Sequence, residues 1–236
     1  MCIMPTSMSD LTVIYYTSNL ISDYFANNVR GRLLLSIGDL PLISVSQKPI
    51  NFGENIYVGP LGQHVFNLYQ QILIGTKAAK TKYVAMAEDD VLYSPGSFTF
   101  HTPTPGVFAY NQNVWCIYTW VKPAVFSFKD RINLYSLICE RELFIEAMEE
   151  RFAKWPDDSK ISIGHFAEPG KYEGRGHLGV TERKIKKLWS PTSNIAFSHQ
   201  SALSFLNMGT RKRLGSLQSF EVPYWGRAKD IIKEYR

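Results

Sequence analysis

Between Leu11 and Asp90 the chain alternates strand-like and helix-like segments, and this alternation restricts the fold more than any other feature of the sequence. Leu11-Thr-Val-Ile-Tyr-Tyr16 is a β-branched and aromatic run, ended by the turn-forming Thr17-Ser18-Asn19. Residues 20–30 read as a helix, and Pro41-Leu-Ile-Ser-Val-Ser46 as a second strand stopped by Gln47-Lys48-Pro49. A loop holding Asn51, Gly53, Asn55, Gly59, Pro60 and Gly62 follows. From Gln63 to Ala79 the apolar positions Val65, Leu68, Tyr69, Ile72 and Ala79 keep helical spacing, so one face packs inward. Tyr83-Val-Ala-Met-Ala87 is a short, wholly apolar strand that runs straight into Glu88-Asp89-Asp90. Strands alternating with helices predict a mostly parallel sheet, where ligands gather beyond the carboxyl ends of the strands. Thr17-Ser18-Asn19 and the acidic triplet both fall at such ends.

The later chain is less regular. Residues 93–128 hold 10 of the 32 aromatics, and Val114 to Val121 reads as a strand of the sheet. Most of these aromatics are expected in the core, with one or two, such as Trp115 or Trp120, open to a ligand. A helix is expected over roughly 140–153, with Leu143, Phe144, Ala147, Met148 and Phe152 inward. Residues 156–182 lose periodicity and contain five glycines, the pattern of a binding loop or lid. Ser193 to Ser198 suggests a last short strand before His199, and residues 226–235 a terminal helix.

With 236 residues, 45% of them apolar, the chain suffices for one domain with a large core, which excludes global disorder. Three cysteines (Cys2, Cys116, Cys139) without a C-x-x-C pair argue against a disulfide scaffold or a cysteine-rich zinc site. Residues 1–10 lack a basic n-region and an apolar h-segment, and no run approaches the ~20 apolar residues of a membrane span. A soluble cytoplasmic protein is the expectation, in the host cytoplasm if the source is viral. Charge is uneven: residues 1–170 carry 13 Lys+Arg against 16 Asp+Glu, residues 171–236 carry 13 against 5. The runs Arg183-Lys184-Ile185-Lys186-Lys187 and Arg211-Lys212-Arg213 suit a polyanion, although a solvated lysine-rich surface has the same composition.

Three successive carboxylates at the end of a buried strand repel one another, and a divalent cation with a preference for oxygen ligands, Mg²⁺ or Mn²⁺, relieves that repulsion. Strand alternation would put Glu88 and Asp90 on one side and Asp89 on the other. The competing reading is a solvated acidic turn.

The stretch from Leu61 to Leu92, with its helix, apolar strand and Glu88-Asp89-Asp90, resembles the corresponding part of GT-A fold glycosyltransferases, especially those similar to family 2. The resemblance covers residues 10–95 well and the rest loosely, and Glu88 departs from the more usual Asp. It implies an α/β, GT-A-like (Rossmann-like) fold: a mostly parallel central sheet flanked by helices, with a C-terminal acceptor-side extension. The single domain would divide into a nucleotide-sugar-binding half (1–97) and an acceptor-binding half (98–236) with the basic end. By the same resemblance Asp90, with Glu88 and a late histidine, His199, would hold Mn²⁺ or Mg²⁺ against the diphosphate of a UDP-sugar. Tyr16, Thr17, Ser18 and Asp89 would contact the nucleoside, and Lys212 and Arg213 would neutralise phosphate.

An inverting transfer needs a general base at the acceptor hydroxyl. The candidates are Asp157, Asp158, Glu168 and Glu173, with Glu168 preferred for its place in the Gly-rich loop beside Pro169-Gly170. The basic end and compact size resemble small phage-type enzymes that glycosylate hydroxymethylated pyrimidines in DNA, which makes DNA the first acceptor to consider. A surface glycan, a lipid-linked sugar or a protein is the rival acceptor. A non-catalytic nucleic-acid-binding module is the rival of another class. Gly174-Arg-Gly-His-Leu-Gly179 spells G-x-G-x-x-G but follows a loop and has no acidic residue about 20 positions on, so a Rossmann site is not expected.

Overall fold

The computed structural model describes residues 10–128, 130–157, 164–173, 178–202 and 214–235. Its centre is a seven-stranded sheet in the order β10-β6-β9-β4-β1-β2-β3. The first strands are β1 (Leu11–Thr17), β2 (Leu42–Ser46), β3 (Glu54–Tyr57) and β4 (Tyr83–Glu88), all parallel to their neighbours within this group. Further along lie β6 (Val107–Asn111), β9 (Leu137–Glu140) and β10 (Lys184–Leu188); only β9 runs against its neighbours. The expected mostly parallel sheet flanked by helices is therefore present.

Both faces of this sheet are buried, and β1 and β4 show it residue by residue. Ile14, Tyr16, Val84 and Met86 face one hydrophobic cluster, under helices α2 (Val65–Ala78) and α3 (Arg141–Lys154). Val13, Tyr15, Ala85 and Ala87 face the other. A strand covered on both sides needs no polar alternation, hence the continuous apolar runs. Gly75 lets α2 lie flat on the sheet: a Cβ there would come within 2.7 Å of Ile14 Cγ2 and 2.8 Å of Val45 Cγ2.

The second face is covered by a smaller sheet, β12-β8-β7-β11-β5. It comprises β5 (Val91–Leu92), β7 (Val114–Tyr118), β8 (Phe126–Phe128), β11 (Asn194–Ser198) and β12 (Leu217–Ser219). Cys116, Tyr118 and Ala196 of this sheet pack toward the central one. Its outer face carries Leu92, Ile117, Phe126, Ile195 and Phe197, which pack on Phe25 and Val29 of α1 (Asp23–Ile37). Trp225, Ala228 and Ile231 of the C-terminal segment complete that cluster.

Four expectations are corrected. The first helix runs to Ile37, not 30, because Leu33 and Ile37 continue its buried stripe past Gly31 until Gly38, at φ 56°, ends it. The 51–62 loop contains β3, a short edge strand whose Asn55 amide bonds Ser44 and Ser46 in place of an apolar face. The strand read at 114–121 ends at Tyr118 and belongs to the second sheet. The terminal helix is one turn, α4 (Ala228–Ile231), continued by a 3-10 turn and preceded by the hairpin β13 (Glu221–Val222) and β14 (Gly226–Arg227). Among the described residues, no helix is long and apolar enough to cross a membrane.

Candidate active site

Parallel register brings the carboxyl ends of β1 and β4 side by side, with Tyr16 opposite Glu88. The Tyr16 hydroxyl donates to Glu88 Oε1 at 2.7 Å, and one residue further the Thr17 hydroxyl donates to Asp89 Oδ2. Strand β4 stops at Glu88, so Asp89 and Asp90 lie in the turn before β5 and escape the alternation of a strand. Glu88, Asp89 and Asp90 consequently line one cleft together with Tyr16, Thr17 and Ser18, which corrects the expectation that Asp89 points away from its neighbours. The cleft encloses about 580 Å³, counting the space open to solvent.

The fourth acid-side partner arrives from a strand more than a hundred residues later. β11 pairs antiparallel with β5, Ala196 opposite Val91, and Phe197 N donates to the Asp90 carbonyl at 2.8 Å. Two residues on, this register sets His199 over the acidic turn, its Nε2 3.4 Å from Asp90 Oδ2. The imidazole is almost wholly buried, edged by Tyr235 of the C-terminal segment. Both partners keep an orphan: Asp90 Oδ1 and His199 Nδ1 are buried without a hydrogen-bond partner.

Crowding is visible in the protonation equilibria. Burial and the adjacent Asp90 hold the Asp89 carboxyl up at about 6, while the Thr17 hydroxyl bond pulls the other way. Burial, then Asp90, pushes Glu88 well above the usual carboxylate range, opposed by the Tyr16 hydroxyl. The charged forms of both carboxyls are thus disfavoured at this mouth unless a counter-charge is supplied. Burial or crowding of this kind is a recurrent mark of functional carboxylates.

A divalent cation fits these residues. Asp90 Oδ2 and His199 Nε2, 3.4 Å apart, form a mixed O/N donor pair, suited to Mn²⁺ and less so to Mg²⁺. Among the described residues, no three His, Cys, Asp or Glu side chains gather closely enough to hold a metal unaided. The remaining ligands would have to come from a substrate or water, as is common for cations that bridge phosphates.

The floor and wall of the cleft come from residues that the sequence reading left unassigned. Asn19, at φ 57°, accepts from the backbone N–H groups of Gln47 and Lys48 at 2.8 and 2.9 Å, tying the turn after β1 to the end of β2. The Gln47 amide holds Gly62 in both directions and reaches Gln71 Oε1 at 3.1 Å. Gln71, buried in α2, donates to the carbonyls of Thr17 and Val45. Gln47 follows a strand's carboxyl end, a position that could have been flagged; Gln71 sits within an apolar helix face and carried no signal. His64 caps α2, accepting from Phe66 N, so the positive end of that helix opens on the cleft.

Glu168 does not line the cleft. Its carboxylate pairs with Lys171 Nζ at 2.7 Å, yet it lies close enough to Glu88 and Tyr69 to raise both their pKa values. The segment carrying it is anchored by a buried ion pair, Arg151 to Glu173 at 2.8 Å, which commits Glu173 to structure. Trp115 and Trp120 do not line the cleft either. Asp158, Lys212 and Arg213 lie outside the described residues.

No family model and no curated protein matches the chain. Among solved structures, it is similar to a glycosyltransferase involved in glycosylation of the major capsid of PBCV-1, at 10% identity over 79% of this chain and 92% of that one, with a TM-score of 0.47. A nucleotidyl transferase from Methanothermobacter thermautotroptrophicus aligns at 10% identity over 77% and 88%, with a TM-score of 0.42. The apo form of the glycosyltransferase GlyE of Streptococcus pneumoniae TIGR4 aligns at 9% identity over 75% of this chain and 45% of its own length, with a TM-score of 0.43. Likeness this distant says nothing about activity, which must be read from the cleft itself.

Proposed function

We propose that this protein is a metal-dependent glycosyltransferase that moves a sugar from a nucleotide-sugar, a UDP-sugar first, to an acceptor hydroxyl. The observation that carries the reading is the convergence of Asp90 and His199, each with an orphaned polar atom, beside a cleft floored by the ends of β1, β2 and β4. Asp90 and His199 would hold Mn²⁺ or Mg²⁺, with Glu88 close by, and the bound cation would neutralise charge on the leaving diphosphate. Asp89 and Thr17, already hydrogen-bonded, with Ser18 and Tyr16 beside them, would orient the nucleoside. The positive end of α2 suits the phosphates, and Lys212 and Arg213 are assigned the same partner.

In the transfer the bond between the sugar's anomeric carbon and the diphosphate oxygen breaks. A bond from that carbon to the acceptor oxygen forms, and the acceptor's proton passes to a carboxylate. Glu168 is the proposed proton acceptor for an inverting reaction, with Lys171 stabilising its charged form until then. Its proximity to Glu88 supports the assignment.

For the acceptor we propose a hydroxymethylated pyrimidine in DNA. The support is the cationic last quarter of the chain and the exposed Lys184, Lys186 and Lys187 of edge strand β10, whose carboxyl end lies on the same side of the sheet as the cleft. Mass spectrometry of hydroxymethylated DNA after incubation with a panel of nucleotide-sugars and Mn²⁺ tests the whole proposal. Calorimetry with Mn²⁺ and UDP tests the donor half: no binding, or binding indifferent to Asp90→Ala, would favour a non-catalytic nucleic-acid-binding module. Turnover on a glycan or protein acceptor, without any DNA shift in a gel, would move the acceptor to that class.

A further inference from the structure

The outer face of the second sheet is only half covered. One row of directly opposed residues crosses it from β5 to β12: Leu92, Ile195, Trp115, Phe128 and Leu217. Leu92 and Ile195 are sealed beneath α1 and the C-terminal segment. Beyond them the row emerges: Trp115 and Phe128 are half-buried, and Leu217 is 54% exposed. Phe128 meets Trp115 at 5.6 Å between ring centroids and the exposed Trp189 at 5.5 Å. An aromatic stripe therefore runs out of the core onto the surface.

The hairpin β13–β14 forms a wall beside this stripe, and the space between them is a groove of about 970 Å³, counting the part open to solvent. The wall is pinned by Trp225, whose indole N–H donates to the Ser193 carbonyl at 2.6 Å. At its tip stands Tyr224, 58% exposed and held at φ 71°. Left-handed backbone at a bulky residue is unfavourable, and such strain collects where a side chain must be displayed for a ligand. An edge-to-face contact with Trp225, 5.0 Å between centroids, fixes the Tyr224 ring over the groove.

The remaining lining decides the ligand class. Asn113 and Gln218 bring amides, Thr192 a hydroxyl, and Glu221 a carboxylate; among the described residues no lysine or arginine lines the groove. With its one carboxylate beside Arg227 and no cation of its own, that lining offers a polyanion no counter-charge. Flat ring faces interleaved with amides and hydroxyls suit a ligand whose rings present apolar C–H faces and a rim of hydroxyl groups. We infer that this groove is a second ligand site, which binds a neutral saccharide chain. It lies at the amino-terminal ends of β7 and β11, the five residues of β11 separating it from His199 by about 16 Å. It stands apart from the cleft and does not depend on the reaction proposed there.

Neutral hexasaccharides (maltohexaose, cellohexaose, chitohexaose, mannohexaose) titrated into the metal-free full chain, followed by tryptophan fluorescence and calorimetry, test it. At least one should bind at millimolar Kd or better, Tyr224→Gly should weaken it at least tenfold, and Asp90→Ala should leave it unchanged. Tyr224→Gly removes the ring while relieving the backbone, so the variant should melt no lower than the wild type and a lost signal would belong to the ring. Three results would overturn the inference: no hexasaccharide binds, binding survives Tyr224→Gly, or binding is lost in Asp90→Ala. A duplex DNA 12-mer that displaces the saccharide at low salt would overturn it too. Since neither donor nor cation is present, a negative result here leaves the proposed transferase standing, and the reverse holds.

Discussion

The two ends of β11 make an instructive contrast. At its carboxyl end the chain collects carboxylates, an imidazole and a web of side-chain amides; at its amino end it collects exposed rings and, among the described residues that line the groove, no cation. The same ladder of hydrogen bonds builds both, so the difference lies in what the neighbouring strands deliver. β4 and β1 finish beside His199 and present groups on turns, free of the alternation that strands impose. β7 and β8 bury Ile117 and Phe126 but leave Trp115 and Phe128, on the same face, only half-covered. One end is polarised for charge, the other for flat surfaces.

Experiments can break that contrast, beginning with the largest effect. Asp90→Ala should reduce transfer by at least about 10²-fold while the thermal transition stays within a few degrees; a fully active variant would remove the cleft's claim to chemistry. Arg151→Met should cost about 3–5 kcal/mol, because it leaves Glu173 charged and buried with only the Arg183 backbone N–H as a partner, and denaturant melts measure this. Gln71→Leu removes one of the partners of the Gln47 amide and releases the Thr17 and Val45 carbonyls, so a loss of about 1–3 kcal/mol is expected with weaker UDP binding by calorimetry. The groove should be insensitive to that change.

The last test is a pH difference. Asp89 titrates at about 6 in the folded protein against 3.8 for the free side chain, so the folded state takes up a proton first as pH falls from 6 toward 4. The metal-free protein should therefore gain stability over that window relative to Asp89→Asn, and the gain should be absent above pH 7. Chemical denaturation of both at pH 4.5, 6 and 7.5 reads it; an opposite slope would mean that Asp89 is solvated. Mn²⁺ should abolish the difference by supplying the missing counter-charge.

Legibility followed burial. β1, β4 and α2 were plain because both faces, or one clean stripe, must be apolar, and the acidic triplet stood out against that background. Edge strands β3 and β10 were not, since a strand with a wet face needs few apolar residues: Lys184-Ile-Lys-Lys-Leu188 reads as charge before it reads as β structure. Val114–Tyr118 was recognisable as a strand, but its sheet depends on pairing with residues about eighty positions away. Within the cleft, Thr17, Ser18 and the triplet followed from the carboxyl-end rule, and Tyr16 from the family resemblance. Asp89's direction did not, because the strand ends at Glu88 and the alternation assumed through Asp90 does not apply.

The late return of β11 has a consequence for assembly. A nascent chain holding only the first four strands and the triplet would present carboxylates without the imidazole, and the amide of Phe197 that clasps Asp90 would still be missing. Tight cation uptake would then begin only once the far strand has docked, making metal affinity a readout of completed folding rather than of the acidic motif alone.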